Sequence, residues 1–131
     1  MSIEENKPPK VKPRLKSAPK IGQVYWCDFP KDAQLPEFWK RRPVVILSYK
    51  NTLNGSVTVI PCSTDEKNRT NKWAYPLKTT LNNLEGWAIC DKPSTVAVSR
   101  LFPERTGIKK LPDDEFNGLL KLALEWLPKP R

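Results

Sequence analysis

Short segments with alternating hydrophobic and polar residues occupy much of the chain after residue 20, and a period of two is typical of half-buried β-strands. Residues 23–29 predict a first strand with Tyr25, Cys27 and Phe29 on one face. The apolar run that begins at residue 43 predicts a second strand over 43–49, buried at the centre of a sheet. The folded part of the chain therefore begins as β-structure.

Turn signals separate the further strands. Asn54-Gly55 is a strong hairpin signal, so residues 56–63 are predicted to return antiparallel to the second strand. Pro61 cannot donate a ladder hydrogen bond, which places it at an edge or a bulge. Three more strands are predicted at residues 73–77, 87–90 and 94–99.

The hydrophobic period changes to that of a helix after residue 107. Apolar residues recur at spacings of three and four from Phe116 to Leu127, behind Pro112 and the acidic residues 113–115. Acidic residues stabilise a helix amino terminus, so we interpret this triplet as dipole compensation and not as a metal site. With no strand–helix–strand crossover, the pattern predicts a mainly β fold that closes as a small antiparallel barrel with one C-terminal helix.

Length and composition divide the chain in two. The 131 residues suit one core, and we predict a single domain over 21–131. Residues 1–20 hold six basic residues, two acids and four prolines, which predicts a disordered or extended tail. Two readings of this tail stay open: a solvated segment without function, or electrostatic help in holding RNA or a partner subunit.

The charge balance favours one class of partner, and the residue types exclude several chemistries. There are 23 Lys and Arg against 14 Asp and Glu, and the net charge of +9 favours a polyanion. The chain has no histidine, which removes imidazole catalysis and the commonest metal ligand. Cys27, Cys62 and Cys90 form no C-x-x-C pair, so we expect buried free thiols and no zinc. Without a long apolar run or a secretory leader, we expect a cytoplasmic protein.

Polar residues at three strand ends carry a resemblance to a known family. They are Glu37-x-x-x-x-Arg42-Pro43, Pro61-Cys62-Ser63-Thr64 and Cys90-Asp91-Lys92-Pro93. Together with the opening Gly22-Gln-Val-Tyr-Trp-Cys-Asp-Phe29, in this order and over residues 21–127, the chain resembles the MazF/PemK toxins of bacterial toxin–antitoxin systems.

The resemblance implies a fold, an activity and partners. The fold is a Src-homology-3-like barrel of five to seven mostly antiparallel strands, shared with toxins of the CcdB type. The activity is metal-independent and cofactor-free cleavage of single-stranded RNA by the neighbouring 2′-hydroxyl, which leaves a 2′,3′-cyclic phosphate and a 5′-hydroxyl. The partners are a second copy of the chain and a cognate antitoxin. Two alternatives stay open: a member that grips a protein such as DNA gyrase, and a basic RNA-binding protein without nuclease activity.

The resemblance also implies four catalytic residues. Arg42 matches the arginine that binds the reacting phosphate, and its alternative role is a structural ion pair with Glu37. Ser63 matches a hydroxyl donor to that phosphate, or else caps a turn. Asp91 matches a base or an orienting group for Arg42, or else forms a turn. Glu37 has the spacing of an acid in some members. Ile89 replaces an arginine of the PemK branch, so either Arg42 supplies the positive charge or activity is weak or lost.

A second set of residues is predicted to bind RNA. Phe38 and Trp39 are predicted to stack on bases, and the neighbouring basic run is predicted to bind phosphates. Lys92 is a candidate for the general acid. The full set is Phe38, Trp39, Lys40, Arg41, Thr64 and Lys92. By contrast, the strand and helix patterns predict that Trp26, Trp87 and Trp126 lie in the core.

Overall fold

The computed structural model describes residues 7–130, so residues 1–6 of the predicted tail and Arg131 lie outside the described part. Eight strands and one long helix follow one another in these residues. They are β1 (Gln23–Asp28), β2 (Arg41–Ile46), β3 (Ser56–Ser63), β4 (Ala74–Leu81), β5 (Leu84–Ile89), β6 (Ser94–Ala97), β7 (Leu101–Phe102), β8 (Lys109–Lys110) and α1 (Asp113–Trp126). Two 3-10 turns, Glu66–Thr70 and Val98–Arg100, complete the order.

The strands form one antiparallel sheet in the order β4-β5-β3-β2-β1-β7. Strand β6 pairs with the first half of β3, and β8 pairs with the first half of β1. The predicted mainly β class with a C-terminal helix is confirmed. The strand number is eight instead of five to seven, because β7 and β8 are two residues long and show no period. Within residues 7–130 the sheet stays open between β4 and β7.

Alternate residues of the central strands fill two cores on opposite faces of the sheet. Val24, Val45 and Ile60 lie side by side in register and pack into the first core, which α1 covers. Tyr25 and Val44, one position away, pack into the second core. Burial on both faces explains the continuous apolar run of β2. The predicted central strand and the predicted 56–63 hairpin return are confirmed.

Helix α1 docks on β4 through one buried carboxylate. The register of β4 against β5 shifts between Leu77 and Leu81, which releases main-chain donors from the ladder. Glu115 accepts hydrogen bonds from the main-chain N–H groups of Lys78 and Thr79, and from the Thr79 hydroxyl at 2.7 Å. Glu115 is 2% exposed. The acidic triplet therefore does more than compensate the helix dipole: its third member joins the helix to the sheet.

The predicted tryptophan placements divide. Trp87 is buried in a cluster with Ala74 and Ile89, as predicted. Trp126 is 41% exposed at the end of α1, so its predicted core position is wrong. Trp26 is half-buried and stacks on the Phe102 ring. The helical period predicted Trp126 as a core residue, but the face that α1 turns to the sheet ends with Ala123.

The N-terminal strap, residues 14–20, lies against the sheet although it contains no helix or strand. The Leu15 side chain is buried in the second core. Arg14 donates to the Asp28 carboxylate at 2.9 Å and to the main-chain oxygen of Arg100 at 3.0 Å. Asn51 donates to the main-chain oxygen of Pro19 at 3.0 Å. The strap covers the second core near the open edge of the sheet.

We expect Leu15→Ala to lower the free energy of unfolding by about 2–4 kcal/mol, since it leaves a cavity in the second core. Urea denaturation followed by tryptophan fluorescence measures this change. Val11→Ala is the matched control, because Val11 is 61% exposed and its truncation is expected to cost less than about 0.5 kcal/mol. Equal stabilities of the two variants would show that the strap contributes no core.

The three cysteines are buried free thiols, as predicted. Burial raises the pKa of Cys27 from 9.0 to about 12 and the pKa of Cys90 to about 12. Burial also raises the pKa of Cys62. A raised folded pKa gives stability that is complete below the unfolded value and is lost as pH rises.

We therefore expect stability to fall between pH 9 and about 12, by about 1.4 kcal/mol per pH unit for each thiol that ionises only in the unfolded chain. Urea midpoints at several alkaline pH values measure the slope. Cys27→Ala is expected to flatten it, and an unchanged slope would contradict the prediction.

Candidate active site

A groove of about 630 Å³ lies between the loop of residues 30–40 and the first 3-10 turn. Both flanking segments contribute to it, together with the ends of β3 and β5. Its lining residues are Leu35, Pro36, Glu37, Phe38, Trp39, Lys40, Arg42, Ser63, Thr64, Asp65, Lys67, Asn68, Asn71, Ile89 and Lys92. The groove unites eight of the ten predicted site residues.

Strand register explains why Arg42 and Ser63 meet here. Val44 pairs with Pro61 in the antiparallel β2–β3 ladder. Arg42 precedes Val44 by two positions and Ser63 follows Pro61 by two, so the two side chains lie on the same face at the same end of the sheet. The hairpin thus places a guanidinium and a hydroxyl next to each other in the groove.

Arg42 has an unusual environment. Its guanidinium carbon lies 5.1 Å from the centroid of the Phe38 ring. Its Nε atom is buried and has no hydrogen-bond partner within residues 7–130. Burial lowers the pKa of Arg42, while the charge of Asp65 acts in the opposite direction. Arg42 forms no ion pair with Glu37 in the described structure, so the structural alternative for this arginine lacks its partner. The side chain is held by an aromatic ring and keeps donors for a ligand.

Ser63 is 7% exposed and also serves the turn that follows β3. Its hydroxyl oxygen accepts a hydrogen bond from the Asp65 N–H at 3.1 Å. Within residues 7–130 the hydroxyl donates no hydrogen bond. Ser63 therefore caps a turn and retains a proton that points to no protein acceptor, which combines the two roles predicted for it.

The loop of residues 30–40 is fastened to the sheet by Phe38. This ring packs against Phe29 at 5.9 Å and also lies 5.9 Å from the Lys92 ammonium group. Lys92 donates to the main-chain oxygen of Pro36 at 3.3 Å. Glu37 accepts a hydrogen bond from the Gln34 N–H at 2.7 Å through Oε1. Phe38 is thus part of the structure of the groove wall, whereas Trp39 is 48% exposed and open to a ligand.

The first 3-10 turn adds groove residues that the sequence analysis missed. Asp65 caps this turn by accepting from the Lys67 N–H at 3.0 Å, and its last residues present Asn68 and Asn71. The Asp65-x-x-Asn68 spacing, typical of a capped turn, was the available signal. The amides of Asn68 and Asn71 carry the donors and acceptors that nucleobase edges require.

The groove carries an excess of positive charge. Four cations (Lys40, Arg42, Lys67 and Lys92) face two carboxylates, those of Glu37 and Asp65. Three or more potential metal ligands come together nowhere in residues 7–130. Such a groove suits a phosphate-bearing ligand whose charge is met by guanidinium and ammonium groups.

The sequence also matches a known family. A model described as PemK-like, MazF-like toxin of type II toxin-antitoxin system covers residues 20–126. The chain belongs to this family. No curated protein matches the toxin in sequence.

Solved structures of similar fold agree with this assignment. MazF from Deinococcus radiodurans superposes with a TM-score of 0.67 at 19% identity, over 82% of the toxin and 94% of that chain. A mycobacterial endoribonuclease gives 0.61 at 22% identity, over 86% and 96%. A mycobacterial endoribonuclease in complex with its cognate antitoxin gives 0.62 at 23%, over 86% and 100%.

Two predicted site residues of the toxin lie outside the groove lining. Arg41 is the neighbour of Arg42 in a strand, so it lies on the opposite face of the sheet, where its Nε donates to Asp28 at 3.1 Å. Asp91 is half-buried in the turn after β5, and its Oδ1 atom is buried without a hydrogen-bond partner in the described residues. Neither displacement was visible from the spacing of the motifs.

Ile89 has a structural role at the position where the PemK branch carries an arginine. It is 2% exposed and packs with Ala74, Trp87 and the Phe38 ring. This apolar contact supports the ring on which Arg42 lies. An arginine at position 89 would bring a charge into this cluster, so the toxin relies on Arg42 for the cation at this end of the groove.

No helix in residues 7–130 has the length and apolar character needed to span a membrane.

Proposed function

We propose that the toxin is a metal-independent endoribonuclease that binds single-stranded RNA in this groove and cleaves it by attack of the 2′-hydroxyl on the adjacent phosphate. The observation that carries the proposal is the pairing of Arg42 and Ser63 on one face of the β2–β3 hairpin, inside a groove with excess positive charge. Guanidinium and hydroxyl donors are suited to the charge that develops on the phosphoryl oxygens.

Each proton and bond in this reaction has a proposed partner. The 2′-oxygen forms a bond to phosphorus as Glu37 takes its proton, and the bond from phosphorus to the 5′-oxygen breaks. Glu37 lines the groove and uses only Oε1 toward the protein, whereas Asp65 is engaged with Lys67. Lys92 supplies a proton to the departing 5′-oxygen. The products are a 2′,3′-cyclic phosphate and a 5′-hydroxyl.

The remaining predicted residues have supporting roles. Asp91 lies in the turn that carries Lys92 and is proposed as a positioning residue. Trp39 provides an exposed ring for base stacking, and Thr64 and Lys40 line the groove beside it as further contacts to the RNA. No activated Ser or Cys nucleophile is needed, because the substrate supplies the attacking oxygen.

The proposal extends to the partners of the toxin. A mycobacterial neighbour of similar fold is solved with its cognate antitoxin, which supports an antitoxin that neutralises this toxin. We further propose a homodimer acting in the cytoplasm, as the family membership suggests.

Incubation with a long single-stranded RNA in excess EDTA tests the proposal. We expect cleavage of the RNA and no cleavage of DNA of the same sequence, because DNA lacks the attacking hydroxyl. RNA that stays intact would reject the nuclease. RNA that is bound but never cut would favour the RNA-binding alternative.

A further inference from the structure

A second cluster of cationic and aromatic side chains lies across the sheet from the groove. We call it the Phe102 patch and define it by Arg14, Trp26, Asp28, Arg41, Arg100 and Phe102. Trp26 pairs with Phe102 across β1 and β7, and Asp28 pairs with Arg41 across β1 and β2. Directly paired residues share a face, and this face is opposite to that of Arg42.

The patch is held together by one aromatic ring and one carboxylate. The guanidinium carbons of Arg14 and Arg41 lie 4.5 and 4.7 Å from the centroid of the Phe102 ring. Trp26 stacks on this ring with centroids 6.5 Å apart and planes 13° from parallel. Asp28 accepts from both Arg14 and Arg41, at 2.9 and 3.1 Å. Burial alone would raise the pKa of Asp28, but the two arginines hold it below its usual value.

The patch keeps more positive charge and more donors than its own contacts use. Arg14, Arg41 and Arg100 face the single negative charge of Asp28, and Arg100 donates to the neutral main-chain oxygen of that residue. Arg41 uses only Nε within residues 7–130, and its side chain is 61% exposed. A guanidinium has five N–H donors, so the two Nη groups of Arg41 are available to a ligand. Arginines beside stacked rings are a suitable site for the phosphates and bases of a single strand.

The patch and the groove are continuous around the beginning of β2. Arg41 and Arg42 are consecutive residues on opposite faces, and Lys40 is exposed just before them. Beyond Arg14, the exposed Lys10 and Lys12 extend the basic surface along the tail. A flexible polyanion that leaves the groove thus meets positive charge along the whole path to the far face.

We propose that the Phe102 patch binds the phosphodiester backbone of the single-stranded RNA that flanks the segment held in the groove. This inference rests on the proposed function, because it takes RNA as the ligand. It gives the N-terminal strap, which lies outside the family match, a part in binding: the strap brings Arg14 onto the Phe102 ring. The patch increases affinity for long RNAs and leaves the chemical step unchanged.

Steady-state cleavage of two RNAs tests the inference, one just long enough to fill the groove and one with long flanks on both sides. We expect Arg14→Ala/Arg41→Ala to raise KM for the long RNA about tenfold or more, with kcat unchanged and the short RNA unaffected. The salt dependence of log KM should also fall by about two phosphate contacts. Lys121→Ala/Lys129→Ala removes the same charge from exposed positions on and after α1 and is expected to leave both RNAs unaffected.

Other outcomes decide against the inference. Equal effects on the two RNAs, or no effect on either, would overturn it, as would a control variant that behaves like the double variant. Arg41→Gln keeps the Arg14–Asp28 contact and is expected to show a smaller change of the same kind, which covers a loss of folding in the double variant. If the wild type cuts neither RNA, the proposed function fails, and fluorescence anisotropy of the two uncut RNAs judges the patch by binding alone. Long-RNA binding that is insensitive to both variants would then reject the patch as an RNA site.

Discussion

Arg42→Ala is expected to reduce the rate of RNA cleavage by about 10³-fold, because it removes the guanidinium that meets the charge of the pentavalent phosphorus. The folded structure should tolerate the change. Arg42 is half-buried, has an unpartnered Nε in the described structure, and contacts Phe38 through ring stacking alone. Single-turnover cleavage of a labelled RNA measures the rate, and thermal denaturation measures the stability of the same sample.

Two further variants make this result specific. Arg42→Lys keeps the charge but loses the planar fork of donors, so we expect it to recover only a small part of the rate. Arg105→Ala removes an equal charge from an exposed position outside the groove lining and should leave the rate within twofold or so of the wild type. An Arg42→Ala protein that is folded and cleaves at the wild-type rate would remove Arg42 from the mechanism.

Glu115→Ala is expected to lower the free energy of unfolding by about 2–5 kcal/mol, the largest stability effect that we predict. The carboxylate accepts from two main-chain N–H groups and one hydroxyl while 2% exposed. Alanine leaves these buried donors without acceptors where β4 departs from its ladder with β5. Urea denaturation of the variant and the wild type gives the difference.

Asp114→Ala is the matched control for this clamp. Asp114 precedes Glu115 in the first turn of α1, but its ion pair with Lys78 spans 3.7 Å between side chains that are 71% and 82% exposed. Such a pair contributes little, so we expect a change below about 1 kcal/mol. Glu115→Gln keeps an acceptor for the main-chain donors and should fall between the two variants. If Asp114→Ala and Glu115→Ala are equally stable, the triplet acts only on the helix dipole.

The sequence predicted the parts of the fold that depend on local periodicity. The run from residue 43, the Asn54-Gly55 turn and the spacing from Phe116 onward each express a period or turn that one element determines by itself. The two-residue strands β7 and β8 are formed by pairing with β1, which no local pattern reveals. The contact of Leu15 with the second core is equally non-local, since a lone leucine in a basic, proline-rich segment carries no period.

The site was predictable where strand register determines it. Counting along the predicted hairpin from residue 43 to 63 brings Arg42 and Ser63 to one face, and the structure unites them in the groove. The same alternation separates Arg41 from Arg42, although the sequence shows only one basic run. Asn68 and Asn71 were missed because a turn of 3-10 helix in a charged loop has no hydrophobic period. The environment of Phe38 depends on distant residues, including Phe29 and Lys92.

The central claim is that this groove cleaves RNA by internal attack of the 2′-hydroxyl, and mass spectrometry of the product ends tests it most directly. The wild-type toxin, incubated with a defined single-stranded RNA in EDTA, is predicted to give fragments that carry 2′,3′-cyclic phosphate and 5′-hydroxyl ends. Replacing the nucleotide on the 5′ side of the cut by its 2′-deoxy form should abolish cleavage at that bond. Fragments with 5′-phosphate ends, or cleavage that persists at the 2′-deoxy position, would contradict the mechanism.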